Sequence, residues 1–511
     1  MYSVSLGGQP LLTGAPPLYL HMNGTFQTAW QLLEARNVSG SDALGSFTGV
    51  ECAYALPAAL SGAAAFTAAI LAYPSAAAYP TAALLRFRYS LPAGAPATNF
   101  SAGGKPGEHH ATLSNFPAFA AAPLLPNTLT WQGAFFPTQQ NNIAYGMRGG
   151  PMLSYGSDVA GPVTFFSPLD NFLTSALGDV VTPSAGFCSG STGCFAAGTA
   201  STVAALPPGF THSWLLAADL GVTNTAAAWG AVMQAYYGAT STSVADTSLT
   251  GLGYQTDNGS QLCFGCPGQV LDKCLLEEKA VLDAAHVPIQ YLSFQNAWWK
   301  SGGESAPWCV GEWEPVPFKV PMGMKAFQEA LGLPLQLYAP YFCATSAYPS
   351  NFSMVRSDTS LPGCGDMDFW DAAPESSRLF YDYLFDLGQS YGMTLFEPDF
   401  LDANHNCQPR FISEVGAAEG FFGGQASAAL DRGIPIQWCF CTPYLLMWTL
   451  TAPAVTNFRV SYGEPPPSLL PFKPTCPCRS AHPPTPAPST LPSPRQFFFK
   501  TITMGDRGTL A

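Results

Sequence analysis

Short apolar runs, broken by Gly, Pro, Asn and Ser roughly every 8–12 residues, fill the chain up to about residue 210. Leu18-Tyr19-Leu20, the run from Ala83 to Tyr89, and Val163-Thr164-Phe165-Phe166 are examples. That rhythm predicts an antiparallel β-sandwich rather than a helical bundle. Alanine is plentiful between Ala53 and Leu85, but Pro57, Pro74 and Pro80 exclude one long helix there. Trp214 to Leu220 reads as the last strand of this part. From Thr223 to Tyr237 the period lengthens: Trp229, Val232, Met233 and Tyr236 recur at helical spacing, which predicts a connecting helix with its aromatics in the core. The Ser/Thr-rich stretch Thr240 to Thr250 reads as a linker.

After residue 250, strand-like runs alternate with helical stretches, the pattern of a parallel sheet or barrel. Six strands are expected: Leu252 to Gln255, Pro288 to Phe294, Leu333 to Phe342, Met393 to Phe396, Ile434 to Phe440 and Ala454 to Val460. Helices are expected over Leu271 to Ala285, Pro321 to Leu331, Glu375 to Tyr391 and Gly416 to Arg432. In the third of these, Phe380, Tyr383, Leu384 and Leu387 form an amphipathic face. The fold class is therefore multidomain β plus α/β: an N-terminal antiparallel β-sandwich followed by an incomplete TIM (β/α) barrel of about six strands. The expected divisions are residues 1–238 (sandwich and connecting helix), 239–250 (linker), 251–461 (barrel) and 462–511 (a Pro-rich, disordered tail). A doubly wound open sheet is the alternative, but no Gly-x-Gly-x-x-Gly follows the first strand, which argues against a dinucleotide cofactor.

Polar groups gather just after several of these strands. The first leads into Thr256-Asp257-Asn258-Gly259 and the second into Gln295-Asn296-Ala297-Trp298-Trp299. The fourth leads into Glu397, Asp399 and Asp402, and the sixth carries Arg459 near its end. Strands often end in polar loops. A barrel mouth lined by acids, a guanidinium and indole rings is also the equipment for binding and cleaving a sugar.

Composition narrows the classes. Charged residues make up only 10% of 511, and the net charge is −13, which argues against a nucleic-acid partner. No run of about 18 apolar residues exists, so no membrane span is expected. Fourteen Cys with 7 His fit an oxidising compartment, with Cys188 and Cys194 placed to close a Gly/Ser loop by a disulfide. Cys263 and Cys266 form a Cys-x-x-Cys without a second pair nearby, so neither a metal nor another cofactor is expected. His109-His110, in a Gly/Pro-rich loop, reads as solvated. Sequons begin at Asn23, Asn37, Asn99, Asn258 and Asn351, as in a secreted glycoprotein. The opening Met-Tyr-Ser-Val-Ser is no signal peptide, so secretion implies a start further upstream.

The segments Leu252 to Gly259, the Trp298-Trp299 pair, the strand ending at Asp399, and Pro453 to Ser461 resemble the raffinose-synthase and α-galactosidase-like glycoside hydrolases. The resemblance is distant and covers residues 215–461. It implies a retaining hydrolase of α-linked galactosides or related glycans, with carbohydrate as partner and Asp399 as nucleophile. Such an enzyme sets an ionised carboxylate about 5–5.5 Å from a protonated one. By the same resemblance Asp257 binds sugar hydroxyls and Trp298 or Trp299 supplies an apolar wall, while Glu397, Asp402 and Arg459, from their places at the strand ends, are expected to line the substrate. Two departures stand out. Glu397 occupies the place where the family often has a lysine. The general acid expected shortly after the sixth strand is not visible, Glu464 being the first carboxylate there. From Glu464 onward the chain turns Pro-rich, which is read as sequence foreign to the barrel, such as a retained intron, or as a tail on a degenerate barrel. A catalytically dead carbohydrate-binding protein is the alternative function.

Overall fold

The computed structural model describes residues 2–6, 8–14, 18–55, 66–74, 82–100, 111–121, 127–132, 138–140, 147–178, 194–239, 244–256, 269–295, 298–303 and 309–459. Up to residue 220 the chain forms two large antiparallel sheets. One has six strands, in the order Ser3–Leu6, Gln9–Gly14, Ala118–Ala121, Cys194–Thr199, Ser175–Gly178 and Met147–Arg148. The other has nine and runs from Thr138–Gln140 through Pro162–Pro168 and Phe210–Leu220 to an edge strand, Gln31–Asp42. Period-2 alternation gives each sheet an apolar face. Leu12, Phe119, Leu177 and Phe195 of the first share one buried cluster with Phe66, Phe87, Phe166 and Trp214 of the second. Phe119 meets Phe166 edge-on at 5.7 Å.

The other face of the nine-stranded sheet carries helix α1, Val222–Tyr237. Its Trp229 stacks on Phe165 at 4.3 Å and donates its indole N–H to Ser167 Oγ at 2.8 Å. Gly238, in the left-handed region at φ 60°, ends the helix where a side chain would strain.

The second half is built on one parallel sheet whose spatial order equals its chain order: β1 Leu252–Gln255, β2 Ile289–Phe294, β3 Leu335–Ala339, β4 Met393–Pro398, β5 Ile436–Trp438 and β6 Val455–Phe458. Helices α2 (Leu271–Ala284), α3 (Met324–Leu331), α4 (Ser377–Ser390), α5 (Ala417–Asp431) and α6 (Pro443–Trp448) intervene. All five residues of β3 are buried, as expected where helices cover one face and the concave interior the other. The sheet curls into a half-barrel. Elements not foreseen from the sequence include a five-stranded mixed sheet between Trp299 and Ala372 and three short helices, Leu401–Asn406, Pro409–Ser413 and Pro443–Trp448.

The half-barrel interior carries a chain of amides. Gln336 Nε2 donates to Gln437 Oε1 at 2.8 Å, Gln437 Nε2 to Asn457 Oδ1, and Asn457 Nδ2 to Asp246 Oδ2 at 2.7 Å. Asp246 and Ser248 fall in the stretch expected as a linker, yet both are buried. Asp246 also accepts from Thr456 Oγ1 and caps the turn Thr247–Thr250 through Ser248 N. The approach to β1 is thereby bound to β6, a contact across 211 residues.

Among the described residues, the Cys309–Cys343 disulfide joins neighbouring strands of the inserted sheet, and Cys364–Cys407 ties that sheet to the helix Leu401–Asn406. Cys188, Cys263, Cys266 and the His109-His110 pair lie outside the described residues. Among the described residues no helix is long and apolar enough to cross a membrane, which leaves strands unaddressed.

Candidate active site

A one-step stagger between neighbouring strands brings the site together. The amide of Asp399, just past β4, donates to Ala339 O at the end of β3; that of Cys439, just past β5, donates to Pro398 O; that of Arg459, just past β6, donates to Trp438 O. The residue following each strand is thus anchored to the strand before it. Asp399, Cys439 and Arg459 converge at the carboxyl end of the sheet.

Asp399 is 5% exposed. Its Oδ2 accepts from the Tyr338 hydroxyl at 2.6 Å, and its Oδ1 from the Phe400 amide at 2.7 Å. Burial raises its pKa, while the Arg459 charge, Cys439 and those two donors oppose the rise. Glu397 is fully buried, with Oε1 3.1 Å from Arg459 Nη1 and Oε2 accepting from Gln295 Nε2. A buried carboxylate needs such partners, because an uncompensated charge in the interior is costly. Asp402 lies in the first turn of Leu401–Asn406. Burial pushes its carboxyl up to about 6, and the negative charge of Asp399 adds to the rise.

Two aromatic residues in left-handed backbone conformation flank Asp399. Phe400 (φ 58°) and Phe440 (φ 52°) follow neighbouring strand ends, and their rings stack at 4.8 Å and 14°. Non-glycine residues enter this region at a cost. Here the stack accompanies it, and the Phe400 amide is turned back onto the Asp399 carboxylate.

The structure brings together four residues singled out from the sequence: Glu397, Asp399, Asp402 and Arg459. Asp257 and Glu464 lie outside the described residues. Trp298 and Trp299 are buried to 1% or less. Trp298 packs on Phe294 and Trp313, whereas Trp299 stacks on Tyr338 at 5.9 Å and so stands behind the donor to Asp399. Tyr338 and Cys439 were missed, and Gln295, read among the polar groups after the second strand, was given no role of its own. Tyr338 was hidden within an apolar strand, although its register opposite Glu397 follows from aligning β3 with β4.

No family model matches the sequence, and no curated protein matches it. Solved structures do. A GH36 α-galactosidase from Geobacillus stearothermophilus, in complex with 1-deoxygalactonojirimycin, aligns with TM-score 0.52 and 12% identity over 86% of this chain and 65% of its own. An α-N-acetylgalactosaminidase from Bifidobacterium bifidum aligns with TM-score 0.49 and 12% identity over 85% of this chain and 74% of its own. A β-arabinopyranosidase aligns with TM-score 0.47 and 14% identity over 88% of this chain and 65% of its own. The first match establishes a GH36-like, β-rich multidomain fold with a parallel half-barrel, and at that identity the fold alone. The chain spans 65% of the length of that α-galactosidase.

Proposed function

We propose that the chain is a retaining glycoside hydrolase of α-linked galactosides or related glycans, with a β-sandwich over residues 1–238 and an incomplete TIM barrel over 251–461. The observation that carries this reading is the placement of Asp399: a carboxylate past the fourth parallel strand, gripped by a hydroxyl and an amide, at the sheet end where barrels carry their chemistry. In this reading the Asp399 carboxylate attacks the anomeric carbon, the leaving oxygen takes a proton from a second, protonated carboxyl group, and water, deprotonated by that same group, then releases the sugar and frees Asp399. Tyr338 and the Phe400 amide aim the nucleophile, and Arg459 opposes its protonation. Asp402, with its pKa pushed up to about 6, holds its proton to higher pH than an ordinary aspartate. Acid duty falls to it or to a residue after Val460 such as Glu464. Asp257 and Arg459 would meet substrate hydroxyls, and Trp299 acts through Tyr338. The paired disulfides accord with an extracellular setting.

A second reading, a carbohydrate-binding protein without turnover, draws on one observation. Burial raises the pKa of Asp399, which disfavours the ionised form a nucleophile needs. Incubation with a nitrophenyl α-galactoside separates the two, since that leaving group hardly needs acid help. Turnover lost in Asp399→Asn supports the hydrolase; sugar binding without turnover supports the second reading.

A further inference from the structure

Outside the half-barrel, where the antiparallel part meets α1, α5 and α6, lies a cavity of about 230 Å³. Its lining includes Asn171, Phe172, Tyr237, Glu419, Trp448 and Thr451, none of them part of the Asp399 site. Three aromatic rings form its walls: Phe172 and Tyr237, 5.7 Å apart, and Trp448, which is backed by Trp438 stacked at 5.8 Å.

The hydrogen-bond inventory of this lining is one-sided. Asn171 Nδ2 donates to Asp170 Oδ1 and Thr211 O, which leaves its carbonyl oxygen as acceptor. The Tyr237 hydroxyl donates to Leu169 O, and the Thr451 hydroxyl donates to Trp448 O at 2.8 Å, so both oxygens present lone pairs. Glu419 Oε2 is buried with no hydrogen-bond partner among the described residues. With Glu419 ionised, the Trp448 indole N–H is the remaining side-chain donor among the described residues of the lining. Among the described residues the lining holds one carboxyl group and no cationic side chain.

We propose that this cavity binds a small organic cation carrying an ammonium group. An ammonium offers three donors and no acceptor, the complement of the four side-chain oxygens carried by this lining. Aromatic faces add attraction for a cation, and they do so more strongly where water is excluded. Burial lifts the Glu419 carboxyl to about 7, and a bound cation would return it to the ionised form. A neutral sugar satisfies the oxygens less completely, because among the described residues its own hydroxyl acceptors find few side-chain donors in the lining, the Trp448 indole N–H and, when protonated, the Glu419 carboxyl.

The test is calorimetric titration of the full chain with n-butylammonium chloride and, separately, with n-butanol, which has the same carbon chain and no charge. The proposal expects the ammonium probe to bind at least ~tenfold tighter than the alcohol. Glu419→Gln should abolish that preference, and Thr451→Val, at an exposed position, should reduce it. Asp399→Asn should leave it unchanged. Equal binding of the two probes overturns the proposal, as does a preference that survives Glu419→Gln or one lost in Asp399→Asn. If Glu419→Gln fails to fold, Thr451→Val decides, and an unaltered preference there overturns it.

Discussion

Nη1 of Arg459 stands 3.1 Å from Oε1 of Glu397, joining the end of β6 to β4 across 62 residues. The carboxylate is fully buried and the guanidinium 15% exposed, so the pair sits in a medium where charge is poorly screened. Glu397 is not aimed at bulk solvent. The position that differs from the resembling family is occupied internally, by an arginine and by Gln295.

Arg459→Met leaves the Glu397 charge buried without its cation, and a loss of about 3–5 kcal/mol in unfolding free energy is expected. Glu397→Gln in the Arg459→Met background removes the uncompensated charge and recovers part of that loss. Urea unfolding of both variants checks the account; equal destabilisation would show that charge is not what the contact contributes.

Tyr338→Phe deletes the donor to Asp399 Oδ2 and little else. A hydrogen bond to a charged group is worth ~1.5–3 kcal/mol, so kcat/KM for an aryl α-galactoside should fall about 10- to 100-fold. The same bond holds down the Asp399 pKa, so the acid limb of the pH–rate profile should move to higher pH. A profile that keeps its acid limb in place would contradict this role.

Asp371 supplies a pH signature remote from catalysis. Burial raises its pKa from 3.8 to about 7, opposed by amide donors from Gln408 and Asn404. The folded state therefore holds a proton that the unfolded chain releases. The sign follows: this contribution to stability is full below the unfolded value and is lost as pH rises towards 7. Asp371→Asn keeps an acceptor for Asn404 and cannot ionise. Between pH 4 and pH 7.5, wild type should lose stability relative to the variant by on the order of 1–4 kcal/mol. Parallel urea midpoints across that range would contradict it.

The Cys364–Cys407 disulfide closes a span of 43 residues and fixes the helix following Asp399 to the inserted sheet. In the chain-entropy picture its removal by Cys364→Ala/Cys407→Ala costs about 4 kcal/mol. Thermal unfolding should show a lowered midpoint, and activity should fall at temperatures where wild type is still native.

The apolar runs from Leu252 to Phe458 were legible because parallel strands are covered on both sides and stay continuously hydrophobic. Val222–Tyr237 was legible for the opposite reason, a clear helical period with Trp229 and Val232 on one face. The amphipathic face in α4 was read partly amiss: Phe380 and Leu384 are buried, but Tyr383 is 40% exposed. The inserted strands Val310–Pro315 and Phe369–Ala372 were not legible, because short strands interrupted by Glu312 and Glu314 in the first and Asp371 in the second carry little apolar signal. At the site, the acids stood out because charge is rare in this chain. Tyr338 and Cys439 did not, since a tyrosine or cysteine in an apolar run reads as core, and their role comes from register between strands far apart in sequence. Asp246 was taken for linker because local composition says nothing about a partner 211 residues away.

The central claim is that Asp399 is the nucleophile. A fluorinated α-galactosyl fluoride, which forms the glycosyl-enzyme rapidly and releases it slowly, tests it directly when the protein is digested and the labelled residue located by mass spectrometry. The account predicts one glycosyl adduct, on Asp399, absent from Asp399→Asn. An adduct on Glu397 or Asp402, or steady hydrolysis by Asp399→Asn, would contradict it.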